Sequence, residues 1–125
     1  MSISKAGFVV NRTYRMHTDD VEVFADAVRP HNKKTQAISG CVFYTFSFDP
    51  ADKNLCHLAE GWTAREVIDR HLVSAIFEEA FSKVLDNVRI PEYKGTIYTV
   101  IDEEPIKTEK AMMTMITALG GSVDR

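Results

Sequence analysis

Between Gly7 and His17 the apolar residues Phe8, Val9, Val10, Tyr14 and Met16 are broken by Asn11, Arg12 and Thr13, a β-forming run that predicts a first strand. Asn11 falls on the strand face opposite Val10 and Arg12. The period then lengthens. Val21, Phe24, Ala27 and Val28 recur at helical spacing, behind Asp19 and Glu22, whose carboxylates suit the positive end of a helix dipole. Pro30 is expected to kink or stop this helix at Arg29, leaving His31-Asn32-Lys33-Lys34 as a solvated turn or a ragged last stretch.

Two strands follow. Cys41 to Phe48 alternates between one face of Val42, Tyr44, Phe46 and Phe48 and another of Cys41, Phe43, Thr45 and Ser47. The first face is aromatic and the second half apolar, so both sides of this sheet are expected to be covered. Asp49-Pro50-Ala51-Asp52-Lys53-Asn54 is a turn by composition. Leu55 to Trp62 then returns antiparallel, with Cys56, Leu58, Glu60 and Trp62 on one face and Leu55, His57, Ala59 and Gly61 on the other.

The corner after Trp62 is the densest part of the chain. Thr63 followed by Glu66 has the spacing of a capping box. Behind it Val67, Ile68, His71 and Leu72 share a helical face, and Ser74 offers a second start. Ile76, Phe77, Ala80, Phe81, Val84, Leu85 and Val88 continue at helical spacing. Pro91 and Gly95 mark a loop, and Thr96 to Ile101 predicts a fourth strand. The order is β-α-β-β-α-β, an α+β ferredoxin-like arrangement with a four-stranded antiparallel sheet. Residues 104–125 extend this 1–103 unit. There Met112, Met115, Ile116 and Leu119 predict an extra C-terminal helix, with Thr108 as N-cap and Gly120 as stop.

Charge and composition narrow the classes of function. The 125 residues suit one soluble domain, with 45% hydrophobic and 26% charged positions. A formal net charge of -3 and no basic run argue against nucleic acid or an anionic membrane as partner. No apolar run approaches the roughly 20 residues of a membrane span, and the start has no secretory apolar core, so a cytoplasmic protein is expected. Cys41 and Cys56 lie about 20 Å apart along the predicted hairpin, too far to bridge, and both are expected as free thiols. No clustered His/Cys spacing suggests a metal.

Gly40-Cys41-Val42-Phe43-Tyr44, Asp49-Pro50, Leu58-Ala59-Glu60-Gly61-Trp62 and His71-Leu72-Val73-Ser74-Ala75-Ile76-Phe77 together resemble the antibiotic biosynthesis monooxygenase domain family over about residues 7–103. The resemblance implies a dimeric α/β barrel in which two such sheets face each other across a homodimer. It implies oxygenation of a small aromatic or quinol-like molecule by O2, with no metal and no cofactor. A deprotonated substrate then supplies the electrons, and the protein supplies a dry pocket and a proton acceptor. On this chain the implied catalytic residues are His71 as base or relay, Asn11 as holder of a ligand oxygen and Trp62 as pocket wall. Tyr44, Phe77 and Glu60 are the implied substrate-binding residues. Each also has a structural reading: Trp62 and His71 as core, Asn11 as partner of an adjacent backbone group, Glu60 as a paired charge. A haem-degrading branch of the same fold places a ligand His where this chain has Phe81, and a phenyl ring cannot ligate iron. The other class the resemblance leaves open is a non-catalytic dimeric module for small-molecule binding or stress response.

Overall fold

A computed structural model describes residues 5–106 and 110–122. Four strands, β1 (Phe8–Arg15), β2 (Cys41–Phe48), β3 (Leu55–Trp62) and β4 (Glu92–Thr99), form one antiparallel sheet in the order β2-β3-β1-β4. Helices α1 (Val21–Gln36), α2 (Arg65–Leu72) and α3 (Ala75–Asn87) accompany the sheet, and α4 (Lys110–Ala118) follows it. This is the ferredoxin-like α+β arrangement the residue pattern predicts.

The core lies between the helices and one sheet face. Val10 and Tyr14 of β1, Tyr44 of β2 and Cys56, Leu58 and Trp62 of β3 pack against Phe24 and Val28 of α1, Val67 and Ile68 of α2 and Val84 of α3. Burying each of these larger apolar side chains contributes about 1.5–3 kcal/mol, which outweighs the weak local propensities. On the other sheet face Asn11, Phe43, Thr45 and Ala59 are exposed, as is Tyr98. The single chain therefore leaves the second face open.

Several local expectations are corrected. Helix α1 runs through Pro30 to Gln36. Pro30 itself is exposed, while Val28 before it and His31 and Thr35 after it are buried, so tertiary packing on the inner face carries the helix past the missing N–H. His31 is thus a core residue at 2% exposure and not part of a solvated turn. The capping box is not formed: α2 starts one residue later, behind an extended Ala64 that makes no side-chain cap. The second start is as expected, for Ser74 caps α3 by accepting from the Phe77 amide at 3.2 Å.

Strand β4 begins at Glu92, four residues before the predicted Thr96, because Glu92-Tyr93-Lys94-Gly95 pair in register with Arg15 to Arg12 of β1. Gly95 is what permits this. A Cβ there would meet the Tyr93 hydroxyl at 2.7 Å, and that hydroxyl accepts from Arg12 Nη1 at 2.6 Å. On β2 the pairing shifts between Cys41 and Phe43: Cys41 faces Trp62, and Phe43, two residues on, faces Gly61. This bulge gives β2 an extra residue and turns Cys41 to the helix side, the face opposite to the one simple alternation predicts. Cys56 pairs with Phe48, and Cys41 and Cys56 are both free thiols.

In the tail, α4 forms over Lys110–Ala118 with Gly120 at φ 86° behind it, as the glycine stop requires. Thr108, the expected N-cap, lies outside the described residues. Met112, Met115 and Leu119 remain exposed. No helix among the described residues is long and apolar enough to cross a membrane.

Candidate functional site

Where β3 ends and α2 begins, the core becomes polar. Glu60 is 1% exposed yet sits among aromatic rings. Its two carboxylate oxygens are both used: Oε2 accepts from Arg12 Nε at 2.7 Å and Oε1 from Trp62 Nε1 at 3.0 Å. A buried carboxylate needs such partners, and here they fix the indole plane of Trp62. Glu60 is accordingly a positioning residue for Trp62.

His71 projects from α2 into a nest of rings. Its centroid lies 5.1 Å from Trp62, 5.5 Å from His31, 5.6 Å from Phe77 and 5.7 Å from Tyr44. It is 3% exposed, and neither ring nitrogen has a hydrogen-bond partner among the described residues. Burial, followed by the proximity of His31 and Arg12, brings its pKa down to about 4. The imidazole is therefore neutral at physiological pH, with one nitrogen free to accept and the other to donate.

His31 is the residue sequence reasoning missed. Its Nδ1 lies 3.3 Å from the Ile76 carbonyl oxygen and its Nε2 2.9 Å from the Tyr44 hydroxyl. A carbonyl only accepts, so Nδ1 carries the proton and Nε2 accepts from Tyr44. Burial, and then the charge of Glu60, pushes the Tyr44 hydroxyl pKa up, which keeps it a donor. Phe24, Val28, His31 and Thr35 are the buried positions of α1, so extending the helical stripe beyond Pro30 would have found His31.

Of these rings His71 reaches the lining of a cleft of about 610 Å³ formed where β2 starts, between α2 and α3, and the others pack behind it. Ile38, Val67 and Ile76 are apolar walls, and Ser39, Thr63, Arg70, His71 and Ser74 are the polar lining. Gly40 lies on the rim at φ 94°, and a Cβ there would sit 2.8 Å from Val67 Cγ2, so glycine is what allows β2 to approach α2 so closely. The volume is within the usual range for small-molecule sites.

Of the residues selected from sequence, His71, Trp62, Tyr44, Phe77 and Glu60 meet on the helix side of the sheet. Asn11 does not join them. It pairs between Ala59 and Thr96 and is exposed on the open face. Phe81 stacks on Phe77 at 4.5 Å between centroids. Among the described residues no three His, Cys, Asp or Glu side chains gather as a metal site. Burial raises the thiols of Cys41 and Cys56 to about 11 and about 12, with the charge of Glu60 also acting on Cys41, so neither is an activated nucleophile.

The His71 shift also acts on stability. The unfolded chain titrates this imidazole near 6.5 and the folded chain near 4. The unfolded state therefore takes up the proton first as pH falls, and stability is lost from about pH 6.5 down to about 4. Asp20, held to about 2 chiefly by its bonds to Arg89, titrates below that window. Urea unfolding is expected to show a lower midpoint at pH 5 than at pH 7.5. His71→Phe, a ring of similar bulk, should show a smaller difference between the two.

Comparison with known proteins agrees with this architecture. The family model described as antibiotic biosynthesis monooxygenase matches residues 7–83. The fold is similar to that of a putative antibiotic biosynthesis monooxygenase from Nitrosomonas europaea, with 22% identity, a TM-score of 0.70 and coverage of 76% of this chain and 99% of that one. It is also similar to one from Deinococcus radiodurans, with 16% identity, a TM-score of 0.72 and coverage of 80% and 98%. A conserved protein from Methanosarcina mazei is similar at 19% identity, a TM-score of 0.69 and coverage of 75% and 92%. No curated protein matches. The chain belongs to the antibiotic biosynthesis monooxygenase family.

Proposed function

We propose that this chain is a monooxygenase that oxidises a small phenolic or quinol-like molecule with O2 in the cleft beside His71. The observation that carries this reading is His71 itself: a neutral imidazole with both nitrogens unpartnered among the described residues, ringed by aromatic side chains at the edge of a cleft. In that role His71 accepts the phenolic proton. The delocalised anion then reduces O2. For a phenol with an open para position, one oxygen atom enters the ring, the other leaves as water, and the product is a quinone. The four electrons all come from the substrate, the apolar walls Ile38, Val67 and Ile76 limit water around the anion, and Trp62, Tyr44 and Phe77 hold His71 from behind.

The working unit in this proposal is a homodimer, with the open sheet face of one copy against that of another. Phe43, Ala59 and Tyr98 would leave water there. Asn11 would then lie at the interface and not beside His71.

One observation favours the second reading, a binding module without chemistry. Asn11, expected to hold the ligand oxygen, lies on the other side of the sheet from the cleft, so its share of the constellation is missing. Oxygen consumption by the pure protein with a panel of phenols and hydroquinones separates the two. Uptake above the autoxidation rate is expected. Tight binding with no such uptake would establish the binding module instead.

A further inference from the structure

We infer that the cleft is built for an aromatic ligand bearing an acidic group, typically a ring carboxylate, with Arg70 as the residue that selects it. This deepens the proposed function and rests on the same cleft. Arg70 is the one charged side chain among the lining residues. Its Nε is turned back to the Glu66 carbonyl at 3.4 Å, which anchors the side chain along α2. Of the other charges on α2, Arg65 lies 3.7 Å from Asp69, and Glu66 meets Arg70 through its carbonyl and not its carboxylate. Among the described residues Arg70 forms no ion pair.

A second donor set lies where α3 starts, at the edge of the same cleft. Helix α3, thirteen residues long, starts at the cleft with Ser74 and Ile76 in its lining. Ser74 satisfies the Phe77 amide through its hydroxyl and the Glu78 amide through its carbonyl. The amides of Ala75 and Ile76 have no acceptor among the described residues. Two free N–H groups at the positive end of a helix favour an anion. His71, 3% exposed and unpartnered among the described residues, independently marks the lining as awaiting a polar ligand. Being neutral, it adds a donor or an acceptor but no repulsion and no charge. Ile38, Val67 and Ile76 provide the apolar area for the ring system. The site thus separates two recognitions: apolar walls and His71 for a phenol, and Arg70 with the α3 amides for an acid.

Calorimetric titration with two matched probes tests this, 1-hydroxy-2-naphthoate and 1-naphthol, which differ by the carboxylate. The intact protein is expected to bind the naphthoate at least tenfold more tightly, with the preference shrinking as salt is raised. Arg70→Gln should reduce the ratio of the two affinities to within about twofold, and Arg70→Lys should restore part of it. Arg70 is exposed, so the variants are expected to fold, and their thermal midpoints check this. Equal affinities in the unmodified protein, or a preference that survives Arg70→Gln, would overturn the inference. Oxygen uptake on the same samples keeps the two ideas apart. Intact acid preference with no uptake removes the oxygenase and leaves the acid-selective site standing.

Discussion

Replacing Glu60 with alanine is expected to lower the free energy of unfolding by about 3–5 kcal/mol. The carboxylate is the shared acceptor for Arg12 Nε and Trp62 Nε1, so its loss strands a largely buried guanidinium and a fully buried indole N–H together. The Arg12 side chain keeps 20% of its exposure, and water reaching it places the expectation at the lower end of that range. Glu60→Gln is the informative control. It retains an oxygen for one donor while removing the charge, and should cost about 1–2 kcal/mol. Urea unfolding followed by Trp62 fluorescence measures both. A loss below about 1 kcal/mol for the alanine variant would mean that Trp62 is held by packing alone.

His71→Ala should reduce kcat for oxygen-dependent turnover by about 100-fold or more while changing ligand affinity far less. A base that acts in the rate-limiting proton transfer shows this split, whereas a residue that merely fills space moves both. The pH profile carries a second signature. The base must be unprotonated, so activity should rise through His71's pKa of about 4 and stay level toward neutral pH. An unchanged kcat in the alanine variant would remove His71 from the chemistry.

The framework was legible because it depends on periodicity. Strands β2 and β3 have the ends the alternating pattern implies, since a turn-forming hexapeptide separates them and glycine precedes the first. The restart at Ser74 was visible because a hydroxyl three residues before an unpaired amide is a local signal. The sites of error share a different cause. Pro30 signals a stop locally, but burial of His31 and Thr35 overrides it, and the buried partner of Tyr44 beside His71 was hidden with them. Glu92 to Gly95 contains no β-branched residue, and its strand exists only because β1 is there to pair with it.

Asn11 shows a subtler limit. Its alternation relative to Val10 was correct, but alternation does not say which sheet face the helices choose. Once Val10 and Tyr14 are in the core, Asn11 must be outside. The polar lining of the cleft was illegible for another reason. Ser39, Thr63 and Arg70 come from the approach to β2, the end of β3 and the exposed side of α2, and only tertiary structure gathers them.

The extra residue on β2 has a consequence for how this cleft could change over time. Between Cys41 and Phe43 the strand carries one residue more than its partner, and Cys41, opposite Trp62, faces inward. Deleting Val42 would restore simple alternation with Cys41 still opposite Trp62 and Phe43 still opposite Gly61, so the upstream segment, Gly40 and Ser39 included, would keep its orientation. The rim would then survive a strand one residue shorter. The bulge thus absorbs a change of one residue in strand length, and the side chains the strand contributes to the mouth are set by their identity and not by length at this point.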